Sequence, residues 1–226
     1  MPAGHARTMT KEQCEPDDTI TADGGRDQPK RREILEGARQ VFRASGFDGA
    51  SMGQIAQAAG VSKGTLYVYF ESKEALFQAL VTRDRNEAAE QLFQCGDDNA
   101  DIATLLQRVG ESFVTMMARP DHIALVRMVI GAAEKFPESG RTFFEKGPSR
   151  GVTRLATLLR PHIEAGDLVI DDIELAASTF FCLCQGNLIK PLLFGCGKQP
   201  SADDIRRTVA EGVAVFLRAY APAGKA

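Results

Sequence analysis

Histidine is scarce in this sequence: His5, His122 and His162 are the only three among 226 residues. None has a glutamate three positions before it, so the Glu-x-x-His repeats by which a helical bundle holds a carboxylate-bridged metal pair are missing. A phosphate-cradling P-loop and a nucleophile elbow are missing too. Cys182 and Cys184 have no evident histidine partner for nucleophilic chemistry. These absences disfavour an enzyme and leave no metal or cofactor to expect. No run approaches the ~18 consecutive apolar residues of a membrane span, and residues 1–29 contain no apolar stretch of the signal-peptide kind. The five cysteines are odd in number and lack framework spacing. Cys182 and Cys184, two apart, point in different directions on a helix and cannot share a metal. A cytoplasmic protein with reduced thiols and no membrane partner is the simplest expectation.

Basic excess is also lacking. The net charge of −3 excludes a pocketless architectural protein that coats nucleic acid without regard to sequence. The charge is unevenly placed, however: seven Lys/Arg and five acids between Lys30 and Phe77 give that stretch a local +2. Residues 1–29 are polar, rich in proline and glycine, and cannot bury enough apolar area to offset ordering entropy, so they read as a disordered tail.

What is present is helical periodicity, with no strand pattern and no internal repeat. Ile34, Leu35, Ala38, Val41 and Phe42 recur at spacings of three and four, and Gly46 closes this first helix. Ser51-Met52-Gly53-Gln54 matches a capping box at the start of a second, short helix carrying Ile55, Ala56 and Ala59. Gly60 permits a tight turn, Ser62 caps a third short helix reaching about Phe70, and Ser72 caps a longer fourth. Further helices are expected over about 102–118, from Pro120 to before Pro137, over 138–164 with a break near Gly147-Pro148, from about 172 to 188, and over 202–219.

Two short helices joined by a glycine turn, over residues 54–73, have the form of a helix-turn-helix. Leu66 and Phe70 suit the inner side of the second of them. Lys63, Gly64, Thr65, Tyr67, Val68 and Tyr69 are then left at its N-terminus and outer face, the end that meets base edges in a major groove. Lys63 suits guanine O6/N7, Thr65 a base or phosphate, and the tyrosine hydroxyls phosphates. Gly64 allows close approach. The helix N-termini after Ser51 and Ser62 favour phosphate, with Lys73 just beyond at the next one. A tight helical hairpin inside an ordinary α-fold would satisfy the same pattern.

"GFDGASMGQIAQAAGVSKGTLYVYFESKEALFQAL", residues 46–80, closely resembles the DNA-binding domain of the TetR family of bacterial transcriptional regulators. At Ser51-Met52 the family often has Thr-Ser or Thr-Arg; the cap is kept, but a phosphate-binding side chain at residue 52 is lost. Residues 127–186 resemble, less specifically, the C-terminal domain of the AefR-like branch. The resemblance implies an all-α protein: a disordered tail at 1–29, a three-helix DNA-binding domain at 30–77, and a larger ligand-binding and dimerisation domain at 78–226. It further implies a homodimer on a double-stranded, pseudo-palindromic operator, released by a small-molecule effector. The dimer seam is expected on the last two long helices, at Phe180, Cys184, Val209, Val213, Phe216 and Leu217. Phe113, Met117, His122, Arg127, Phe144, Phe181 and Asn187 are candidates for an apolar effector pocket, with Arg127 as an anchor for an anionic group. The competing regulatory reading is a thiol switch at Cys182 and Cys184.

Overall fold

The computed structural model describes residues 24–92 and 101–222, with side chains from residue 29 to 83 and from 101 to 222. Among these residues there are helices and no strands. The expected tail therefore lies outside the described residues as far as residue 23, and helix α1 (Gly24–Gly49) already runs at Gly24, upstream of Lys30. Pro29 sits inside it. At Gly46 the backbone leaves the helix (φ 68°, ψ 178°), a conformation that a side chain disfavours, so the glycine ends the long helix and Phe47–Gly49 form a separate turn.

Helices α2 (Met52–Ala58) and α3 (Lys63–Tyr69) follow, each opened by its expected serine cap. Ser51 Oγ accepts from the Gln54 amide while Gln54 Oε1 accepts from the Ser51 amide at 2.9 Å, which completes the capping box. Ser62 Oγ accepts from the Thr65 amide at 3.0 Å. Gly60, at φ 65°, makes the turn between α2 and α3. Then come α4 (Lys73–Leu92), α5 (Ile102–Ala118), α6 (Pro120–Ala132), α7 (Pro137–Phe144), a π-helical turn (Glu145–Ser149), α8 (Arg150–Glu164), α9 (Ile173–Gln185), α10 (Ile189–Leu193) and α11 (Ala202–Tyr220). The break expected near Gly147-Pro148 is the π-helical turn. Helix α9 stops at Gln185, short of the expected Leu188, because Gly186 takes φ 47°.

Two apolar cores hold these helices. The first joins α1 to α4 through Ile34, Leu35, Phe42, Ile55, Leu66, Phe70 and Phe77, all buried. It also takes in Leu125, Val129 and Ala132 of α6, so the headpiece is packed against the second half of the chain. Phe42, Phe47, Phe77 and Phe136 form an aromatic cluster across this junction, with ring centroids of Phe47 and Phe136 4.6 Å apart. Lys135 Nζ reaches Asp48 Oδ2 at 2.6 Å on its surface. The hydrogen bond lowers the Asp48 carboxyl below its usual range. The second core is built by α5, α8, α9, α10 and α11 around Leu106, Leu155, Phe180, Cys184, Val209 and Phe216. Glycine sets its tightest approach: a Cβ on Gly110 would lie 2.5 Å from Val209 Cγ1 and 3.0 Å from Cys184 Sγ, and one on Gly212 3.2 Å from the Cys184 amide nitrogen.

Candidate nucleic-acid interface

The first turn of α3 presents its chemistry outward. Leu66 is fully buried and anchors the helix, while Lys63, Gly64, Tyr67 and Val68 are exposed. Val68 is 83% exposed and Tyr67 53%, so this short helix carries a bare apolar and aromatic surface that internal packing does not use. A Cβ placed on Gly64 would meet only Ser62 Oγ, at 3.7 Å, an ordinary contact. Packing within the chain therefore gives no reason for glycine here, whereas close approach to an outside surface does. The contrast is Gly37 on α1, where a Cβ would fall 2.6 Å from the Ala59 amide nitrogen; that glycine lets α1 touch the end of α2.

Lys63 starts from a defined position: its Cε would lie 2.9 Å from a Cβ on Gly53, so the side chain runs across the bare backbone of α2. Thr65 is half-buried and its hydroxyl shares a 2.9 Å hydrogen bond with Ser62 Oγ, which ties both side chains to the cap. Ser51 is likewise engaged with Gln54, at 2.9 Å between Oγ and Oε1. These serines and the threonine order the two helix starts and leave backbone N–H groups to face an anion.

Two of the expected contacts sit differently. Tyr69 is half-buried and packs against the first core, because it lies on the inner side of α3. Lys73 is also partly buried: its ammonium donates to the Phe47 carbonyl at 2.8 Å and to the Ala50 carbonyl at 3.0 Å, and lies 4.4 Å from the centroid of the Phe47 ring. It clamps the corner between α1 and α2 to the start of α4, a place different from the free phosphate donor that its sequence position suggests. Arg31, on α1, lies 5.0 Å from the centroid of the Phe70 ring at the end of α3.

The candidate effector residues do not converge. Phe113 and Phe181 meet, with ring centroids 4.5 Å apart, and Met117 packs on the same second core. His122 is buried on α6. Arg127 instead faces a separate cleft, where Nε donates to the Leu193 carbonyl at 2.8 Å and Nη2 to the Leu192 carbonyl, capping the end of α10. Phe144 and Asn187 are exposed, on α7 and on the segment after α9 respectively.

The expected seam residues belong mainly to the chain's own interior. Phe180, Cys184, Val209, Val213 and Phe216 are buried between α9, α11 and α5, and Leu217 is half-buried beside them. The outward faces of those helices carry Leu175, 63% exposed, Cys182, and Val215, 38% exposed. Helix α9 is apolar on nearly all sides, so periodicity could not separate its inner from its outer face. Burial pushes the Cys184 thiol up to about 12, which keeps it protonated and unreactive, and moves the question of thiol chemistry to Cys182.

Comparison with known proteins agrees with this arrangement. Residues 34–80 match the family described as bacterial regulatory proteins, tetR family, and residues 104–222 match the C-terminal domain of AefR-like transcriptional repressors. The flavonoid-responsive regulator FrrA is 31% identical, with a TM-score of 0.76 over 87% of this chain and 100% of that one. A TetR-family regulator from Mesorhizobium loti is 27% identical, with a TM-score of 0.78 over 87% of this chain and 99% of that one. The Escherichia coli regulator UidR is 48% identical over 61 residues, which are 27% of this chain and 31% of UidR, so that likeness spans less than a third of either protein. No described helix is long and apolar enough to cross a membrane. The chain belongs to the TetR family of transcriptional regulators, with an AefR-like C-terminal domain, and is a DNA-binding transcriptional regulator.

Proposed function

We propose that this regulator is a cytoplasmic repressor that binds a pseudo-palindromic operator as a homodimer and leaves it when a small, largely apolar effector binds. The observation that carries the reading is the outward end of α3: Lys63, Gly64, Tyr67 and Val68 lie exposed together at the start of a capped helix, and Gly64 is open on its outer side. Lys63 reads guanine, Val68 packs on a thymine methyl, and Tyr67 reaches a phosphate. Two headpieces related by a two-fold axis then sit in successive major grooves, ~34–36 Å apart. Ser51 and Ser62 aim the N-termini of α2 and α3 at phosphates. Matches to repressors, AcnR of Corynebacterium among them at 39% identity over 75 residues, favour repression over activation.

The dimer reading rests on the exposed apolar residues of α9 and α11, Leu175 and Val215, which the chain itself leaves uncovered. The effector reading rests on the aromatic pair Phe113 and Phe181 in the second core, and on FrrA, whose name records a response to flavonoids. A flat aromatic effector fits both. It acts through α4 and α6, the helices shared with the headpiece core, and needs only to prefer the geometry that spaces the headpieces wrongly.

The test is binding of the purified protein to the DNA upstream of its own coding sequence, against random DNA at the same salt. Selective binding with a footprint of two half-sites is the expected result. Equal affinity for both DNAs, from protein refolded free of small molecules, would refute autoregulation through an operator.

A further inference from the structure

A cleft of about 650 Å³ opens where the headpiece meets the second half of the chain, between the end of α1, helix α6 and the segment after α10. Phe42, Ile123, Met128 and Leu192 contribute its apolar lining, and Arg43 from the headpiece and Arg127 from α6 contribute its charge. Among the described lining residues there is no aspartate or glutamate. Arg127 is held by the Leu192 and Leu193 carbonyls through Nη2 and Nε, so its Nη1 donors are left and its guanidinium is already oriented. Arg43 makes no hydrogen bond or ion pair among the described residues. Gly46, Gly195 and Gly197 also line the cleft, and without side chains they leave room at its wall.

We infer that this junction cleft binds an amphipathic organic anion, with its charge on Arg43 and Arg127 and its apolar body against Phe42, Ile123 and Met128. Two arginines on one cleft with no carboxylate beside them in its lining favour an anion there, and an anion without an apolar body would leave the rest of the lining unused. The volume is that of an ordinary small-molecule site. A ligand there touches α1 and α6 together, so occupancy favours whichever headpiece orientation keeps those two walls within its span. The assignment is independent of the effector reading above, which concerns the interior of the second core, and its test needs no operator.

The probes are 8-anilinonaphthalene-1-sulfonate and N-phenyl-1-naphthylamine, which differ by the sulfonate, titrated by fluorescence into the full chain. Arg43→Gln is expected to weaken the sulfonate about tenfold and to leave the neutral probe within about twofold. Ala124→Leu, which fills the cleft from α6, is expected to weaken both. Circular dichroism melts check that each variant is folded, and Arg43 is exposed, so its replacement leaves the fold in place. No binding of the sulfonate, sulfonate binding that neither substitution changes, or an equal loss of both probes in Arg43→Gln would overturn the assignment.

Discussion

Replacing Gly64 with alanine separates what the protein needs for itself from what it needs for DNA. The added Cβ would have one neighbour within 4 Å, Ser62 Oγ at 3.7 Å, so the fold accepts it without movement. Gly64 is the second residue of α3, and alanine restricts the unfolded chain more than glycine does. Gly→Ala in a helix interior gains about 1 kcal/mol, and in this first turn about half of that is expected. The variant should therefore melt at the parental temperature or slightly above. On DNA the sign reverses. If α3 lies in the major groove with Gly64 against the duplex, the methyl overpacks that contact and costs about 1–3 kcal/mol at each half-site. Urea denaturation followed by circular dichroism gives the first number, and fluorescence anisotropy on labelled operator gives the second. A loss of stability would show that the space around Gly64 has been misjudged. Unchanged operator affinity at unchanged stability would refute the placement of this turn against DNA. Gly37→Ala is the internal control, because its Cβ would collide with Ala59 at 2.6 Å and should lower stability outright.

The two lysines of the headpiece should behave oppositely. Lys73→Met removes the ammonium from the Phe47 and Ala50 carbonyls and should cost about 3–6 kcal/mol in urea denaturation, for two charged hydrogen bonds at about 1.5–3 kcal/mol each, whereas Lys63→Ala should leave stability within about 0.5 kcal/mol and lower operator affinity selectively over random DNA; a destabilised Lys63→Ala or a fully stable Lys73→Met would reverse these assignments. If the proposed dimer forms, Leu175→Glu combined with Val215→Glu should leave a folded monomer in light scattering, while Val213→Glu should unfold the chain because Val213 is inside the second core. Thiol labelling near pH 8 should modify Cys196 while sparing Cys184 until the chain unfolds; rapid native labelling of Cys184 would contradict its burial. The same thiol makes a pH prediction: its folded value of about 12 lies above the unfolded 9.0, so its contribution to stability is complete below pH 9 and is lost as pH rises toward 12.

The headpiece was legible because each of its positions has a separate local reason. Ser51 and Ser62 are caps, Gly46 and Gly60 occupy positive φ, and Leu66 and Phe70 are buried. Such signals lie within a few residues of one another, and local periodicity reads them well. The fate of Lys73 was not legible, since its partners lie more than twenty residues away and only the fold brings the Phe47 and Ala50 carbonyls to it. Arg127 posed the same difficulty, with its carbonyl partners on α10. In α9 the obstacle was composition: apolar residues on both faces gave no sign that Phe180 and Cys184 turn inward while Leu175 and Cys182 turn outward. The effector residues scattered because apolar identity marks a core position and a pocket position alike.

The burial of Leu125, Val129 and Ala132 among the headpiece residues has a consequence for how such regulators can be recombined. A chimera cut after residue 77 would carry α1 to α3 and only the start of α4 to a new host, where their apolar underside would meet a foreign α6. Operator specificity in this chain is therefore portable only together with the surface on α6 that receives it. Exchange of the exposed residues of α3 alone, on the resident scaffold, is the route that leaves that fit intact.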